Sequence, residues 1–153
     1  MTTEIGKPAP DFTMDSEQGP VRLADYGGKA LVLYFYPKDD TSGCTSEAKA
    51  FRDAMDDFAA AGIAILGVSK DSMASHAKFR AKHELTFTLG SDPEGTVCEA
   101  YGVWKKKSMY GREYMGIERS TFLIDKDGVL RTEWRKVKVT GHAQAVLAAA
   151  RAL

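Results

Sequence analysis

The sequence predicts an α/β fold in three layers, a sheet covered by helices on both faces. Three observations lead there. The run at 30–36 is continuously apolar and β-rich, as strands buried on both faces are, and 64–69 reads as a second buried strand. A stretch of helical periodicity follows each of them. Asp125-Lys126-Asp127-Gly128, set between two further β-rich runs, reads as a tight antiparallel hairpin.

Taken in order, the elements fit that class. The segment from Gly6 to Gly28 is punctuated by Pro8, Pro10, Gly19-Pro20 and Gly27-Gly28. Short strands at Phe12-Thr13-Met14 and Val21-Arg22-Leu23 can pair across its Asp15–Gly19 turn. The run Ala30 to Tyr36 is the central strand and stops at Pro37. A polar turn leads to a helix over 42–61, with Ala48, Phe51, Ala54, Met55 and Phe58 at helical spacing and Gly62 as its stop. Ala64 to Ser69 is a second buried strand. Ser72 can cap a helix reaching His83. Thr86-Phe87-Thr88-Leu89 is a short strand closed by Gly90, and 93–104 reads as a helix with Pro93 in its first turn. Ser120–Ile124 and Val129–Trp134 form the hairpin, and Gln144–Leu153 is a final amphipathic helix. A thioredoxin-like three-layer sandwich with an N-terminal β-hairpin, one domain over residues 1–153, satisfies this order.

Composition narrows the function. The 153 residues carry 21 basic and 21 acidic side chains, a net charge of zero, which argues against a nucleic-acid partner. No apolar run approaches the roughly 18–20 residues of a membrane span, and the first residues lack the pattern of a signal peptide. A cytoplasmic protein is expected. Two cysteines, Cys44 and Cys98, are too few for a disulfide scaffold or a cysteine zinc site.

Chemistry concentrates in Pro37-Lys38-Asp39-Asp40-Thr41-Ser42-Gly43-Cys44-Thr45-Ser46-Glu47. Cys44 falls in the first turn of a helix, just after a buried strand. Free N–H groups and the helix dipole favour an anion there, and the thiolate is the nucleophilic form of cysteine. Thr41 can aim a hydroxyl at the same point, Gly43 permits close backbone approach, and Pro37 can cover the thiol without competing for hydrogen bonds. The competing reading is a small apolar cysteine packed at a helix start. His76, His83 and His142 read as surface or helix-face residues. Met109, Tyr110, Tyr114 and Met115 read as an apolar-rich loop before Arg119, with core packing as its default role.

The stretch Phe35-Tyr36-Pro37-Lys38-Asp39-Asp40-Thr41-Ser42-Gly43-Cys44-Thr45 resembles the signature of the peroxiredoxins, and of their peroxiredoxin Q (bacterioferritin comigratory protein) branch in particular. The similarity extends over nearly the whole chain, through Gly6-Lys7-Pro8-Ala9-Pro10-Asp11-Phe12, Ser91-Asp92-Pro93, Ala100-Tyr101-Gly102-Val103-Trp104 and Gly116 to Asp125. The resemblance implies a thiol-dependent peroxidase for hydrogen peroxide and organic hydroperoxides that needs no metal, haem, flavin or other cofactor. In it, Cys44 is the peroxidatic residue, Thr41 hydrogen-bonds the peroxide and Pro37 shields the site. Arg119 holds the thiolate and the developing charge, and Glu47 supports it. Electrons come from thioredoxin, glutaredoxin or a small thiol. A monomer is expected, with a dimer as the alternative.

Two positions depart from the family pattern. Ser42 stands where many relatives have proline. Lys49 occupies the usual position of the resolving cysteine, and the second position used in this branch, near Phe79-Arg80, is not cysteine either. Only Cys98 remains as a resolving candidate, against a packed thiol with an external thiol doing that work. Two other readings compete with a peroxidase. A non-catalytic thioredoxin-like binding or chaperone module would not require Pro37, Thr41, Cys44 and Arg119 together. A disulfide oxidoreductase lacks its Cys-x-x-Cys.

Overall fold

The computed structural model describes residues 3–153. Its main sheet has seven strands in the order β2-β1-β5-β4-β3-β8-β9. These are β1 (Thr13–Ser16), β2 (Val21–Arg22), β3 (Ala30–Phe35), β4 (Ile63–Ser69), β5 (Thr88–Ser91), β8 (Ser120–Ile124) and β9 (Leu130–Trp134). Strands β3, β4 and β5 are parallel, whereas β8 runs antiparallel to β3, and β1 and β2 form the expected N-terminal hairpin. β3 lies inside the sheet, so its apolar run serves two cores at once. Val32, Tyr34 and Tyr36 enter one and Leu31, Leu33 and Phe35 the other, as strand alternation requires.

The first core is closed by helices α1 (Ser42–Asp53), α2 (Met55–Ala60), α3 (Met73–His83) and α5 (His142–Arg151). The second is closed by the short α4 (Thr96–Ala100), the N-terminal segment around Phe12 and the base of a separate two-stranded hairpin, β6 (Trp104–Met109) with β7 (Arg112–Ile117). The result is the expected three-layer sandwich. Among the described residues, no helix is long and apolar enough to cross a membrane.

Several elements differ from the sequence reading. The helix over 42–61 is two helices, parted at Ala54, whose ψ of 2° leaves the helical range. The third strand begins at Thr88 and contains Gly90 rather than ending at it. A Cβ on Gly90 would lie 3.1 Å from the Met14 side chain, so glycine lets β1 and its side chains close over β5. The helix expected over 93–104 shrinks to α4. The Asp92 carboxylate accepts from the N–H groups of Val97 and Cys98 and fixes where that helix starts. Trp104 already belongs to β6. The apolar-rich segment before Arg119 is not a loop but the β6–β7 hairpin, turned at Tyr110 and Gly111 with φ of 53° and 77°. Its Met109, Tyr110, Tyr114 and Met115 are exposed, not core.

Candidate active site

The site is built where β3 ends. Pro37 cannot continue the sheet, and the chain turns through Asp40, which adopts a left-handed φ of 61°. Thr41 takes the extended conformation of an N-cap, and its carbonyl accepts from Thr45 N–H at 2.8 Å, the first bond of α1. Cys44 therefore sits in the first turn, among N–H groups that have no partner within the helix. Its side chain is 2% exposed. Pro37 and Thr41 are exposed, and the Thr41 hydroxyl donates to the Lys38 carbonyl at 2.8 Å.

Arg119 reaches Cys44 from the far side of the sequence. It lies in the two-residue link between β7 and β8, where Glu118 N–H donates to the Val103 carbonyl and Val137 N–H to the Arg119 carbonyl. Its Nη2 donates to Cys44 Sγ at 3.4 Å, and its Nη1 to Glu47 Oε1 at 2.7 Å. Gly43 makes this approach possible: a Cβ there would stand 3.1 Å from Nη2. Burial works against the Arg119 charge, but Glu47 and Cys44 outweigh it and hold the guanidinium above its ordinary range.

Glu47 is itself 1% exposed, one helical turn after Cys44, and its Oε2 has no hydrogen-bond partner. Burial pushes its carboxyl up to about 7, against the pull of Arg119. A groove of about 320 Å³ opens beside Arg119, and Lys105, Lys106, Lys107, Glu118 and Lys136 line it. Burial, then the Arg119 charge, depresses Lys107.

The structure thus brings Cys44, Arg119 and Glu47 into contact. Cys98 is elsewhere. It is fully buried in α4, within the core on the other face of the sheet, and burial pushes its thiol well above the usual cysteine range. The histidines differ from the sequence reading too, since His76 and His142 are buried. His142 Nε2 lies 2.7 Å from the Thr121 hydroxyl, and burial, then the Arg119 charge, lowers it to about 4. His76 lies 2.7 Å from the Asp39 carboxylate, in a group with Asp71 that has metal-ligand composition. Their ligand atoms are engaged by Tyr36, Ser69, Ser75 and one another. Sequence reasoning missed this network, although two consecutive aspartates in the site loop were the available signal.

Comparison with known proteins places the chain. Residues 5–133 match the family model described as AhpC/TSA family. Over 148 residues the chain is 55% identical to peroxiredoxin Bcp of Bacillus subtilis, covering 96% of this chain and 94% of the relative. It is similar to the solved structure of the Xanthomonas campestris bacterioferritin comigratory protein, described for its alkyl peroxide reduction activity. There the TM-score is 0.88 at 47% identity, over 92% of this chain and 90% of that one. A mutant of peroxiredoxin Q from Xylella fastidiosa superposes with a TM-score of 0.91 at 41% identity, over 98% and 96% of the two chains.

Proposed function

The chain belongs to the AhpC/TSA family and is a thiol-dependent peroxidase; on that premise we propose that Cys44 is the residue oxidised by the peroxide. The observation that carries this assignment is the Arg119 guanidinium held between Cys44 Sγ at 3.4 Å and Glu47 at 2.7 Å. The Cys44 thiolate attacks one peroxide oxygen, a sulfur–oxygen bond forms as the oxygen–oxygen bond breaks, and water or an alcohol leaves. Sulfur is oxidised to the sulfenic acid and the peroxide is reduced. A fixed guanidinium is suited to the charge that moves from sulfur to the departing oxygen. Thr41 and Pro37, both exposed in the loop that leads into Cys44, orient the peroxide and limit its access. Hydrogen peroxide and organic hydroperoxides are the proposed substrates.

The sulfenic acid is then reduced by an external thiol. That thiol forms a mixed disulfide with Cys44 and releases water, and a second thiol frees Cys44. The placement of Cys98 supports this. A disulfide needs Cα atoms within about 7 Å, and the sheet stands between the two cores that hold the cysteines. Thioredoxin, glutaredoxin or a small thiol can supply the electrons, and the reducing cytoplasm suits such a cycle. A monomer is the proposed state.

Stopped-flow mixing with hydrogen peroxide tests the assignment: Cys44 is expected to oxidise far faster than a free thiol, and Cys44→Ser to abolish turnover. Retained turnover in that variant would reject it. Intact mass after one equivalent of peroxide tests the cycle. One added oxygen is expected in wild type and in Cys98→Ser alike; loss of two hydrogens in wild type alone would assign resolution to Cys98.

A further inference from the structure

Helix α3 contributes nothing to the chemistry described above, yet it grips the loop that does. Two consecutive loop residues, Asp39 and Asp40, are held by two pairs of residues on that helix. Near its start, the Ser75 hydroxyl donates to Asp39 Oδ2 at 2.7 Å, and His76 Nδ1 meets the same oxygen at 2.7 Å. Near its end, Lys82 Nζ and His83 Nε2 lie 2.7 and 3.0 Å from the two oxygens of Asp40. His76 and His83 are seven residues apart, two helical turns, and so lie on one face. Phe79 sits between them and packs on Tyr36, the residue before Pro37.

Between the two contacts the backbone of Asp40 takes a left-handed φ of 61°. Such a conformation persists in a non-glycine residue when its surroundings over-determine it.

The buried contact holds a proton. His76 Nε2 faces the Gly90 carbonyl at 3.1 Å, an atom that can only accept, so Nε2 carries a hydrogen. Nδ1 faces a carboxylate oxygen, so the pair shares a second proton between Nδ1 and Oδ2. The other polar groups around it come from every neighbouring element. Tyr36 donates to Asp39 Oδ1 at 2.5 Å, Asp71 accepts from Asp39 N–H at 2.8 Å, and the Ser69 hydroxyl donates to Asp71 at 2.6 Å. With His76 1% exposed, removing its donor would leave the Asp39 carboxylate short of a partner in a buried site.

We propose that α3 is a clamp on the active-site loop, in which His76 and His83 act as positioning residues that hold Asp39 and Asp40 and, through them, the segment from Pro37 to Thr41 that leads into Cys44. It rests on the reading of Cys44 as the peroxide-reactive residue. A misplacement on the order of 1 Å is enough to slow a reaction that depends on orientation.

The test is the second-order rate constant for Cys44 oxidation by hydrogen peroxide in the full chain. His76→Leu removes the donor and is expected to lower the rate by about tenfold. Asp40→Asn, at an exposed position, is expected to lower it by roughly threefold with the fold intact. His76→Asn keeps a donor near Nδ1, and its rate is expected to stay near wild type. Should His76→Leu not fold, Asp40→Asn and His76→Asn decide. A His76→Asn variant slowed by about tenfold, or folded His76→Leu and Asp40→Asn variants within about twofold of wild type, would overturn the clamp. A wild type that oxidises no faster than a free thiol would instead reject the reading of Cys44.

Discussion

Glu47 grips Arg119 by Nη1 at 2.7 Å and leaves Nη2 facing the Cys44 sulfur, so the carboxylate aims the guanidinium from behind. The pair is asymmetric in cost. Glu47 is the more deeply buried partner, and one of its oxygens is unpaired. A carboxyl held near 7 in the folded chain, against an ordinary value near 4.5, ionises within the working pH range.

Activity is therefore expected to rise with pH through 7 as Glu47 becomes charged, in a manner that Glu47→Gln removes. At pH 8 the variant should react about tenfold more slowly with peroxide, and at pH 6 the gap should narrow. Stability has the opposite dependence. A raised carboxyl contributes fully below pH 4.5, and that contribution is lost as pH rises to 7. The wild-type melting temperature, measured relative to the variant, should fall between pH 5 and 8.

Gly43→Ala tests the approach of Arg119 to the sulfur. The added Cβ would lie 3.1 Å from Nη2, the free end of a flexible side chain, so the guanidinium should yield rather than the helix. The rate of Cys44 oxidation is expected to fall by about tenfold. Thermal unfolding should move by only a few degrees, in line with a cost of about 1 kcal/mol or less.

His142 makes the fold acid-sensitive. Its folded value near 4 lies below the ordinary 6.5, so its contribution is complete above pH 6.5 and is lost as pH falls to 4. Urea titrations of wild type and His142→Gln should show the larger acid loss in wild type, on the order of 2 kcal/mol.

Cys98→Ala should leave peroxide turnover with an external thiol within about twofold of wild type. It should cost roughly 1 kcal/mol of stability, because the sulfur fills space in a fully buried position of α4. Cys98→Ser should cost more, since a hydroxyl there needs a partner. Denaturant unfolding beside steady-state turnover checks both.

The parts of the molecule that could be read in the sequence share a physical cause. β3 and β4 announce themselves because burial on both faces leaves no charged residue in either run. Ser72 marks the start of α3 because its side chain bonds the Ser75 N–H. The β6–β7 hairpin was hidden because Lys105, Lys106 and Lys107 give half of it the composition of a loop. Its turn at Tyr110-Gly111 was the remaining signal. Cys44 and Arg119 were visible as residues, but their contact depends on a link 75 residues away. The Asp39–His76 pair lay beyond local pattern, because nothing local distinguishes a buried histidine from a solvated one.

In the proposed one-cysteine cycle, the sheet between Cys44 and Cys98 also sets what the oxidised chain can become. A sulfenic acid with no thiol of its own in reach has a lifetime fixed by its surroundings. Two reactions compete for it: reduction by the external thiol, and further oxidation by a second peroxide to the sulfinic acid. The first scales with the supply of reductant and the second with the level of peroxide. The fraction of chains withdrawn from the cycle therefore measures the ratio of the two, so that a barrier of β-strands turns a catalyst into a gauge of redox balance.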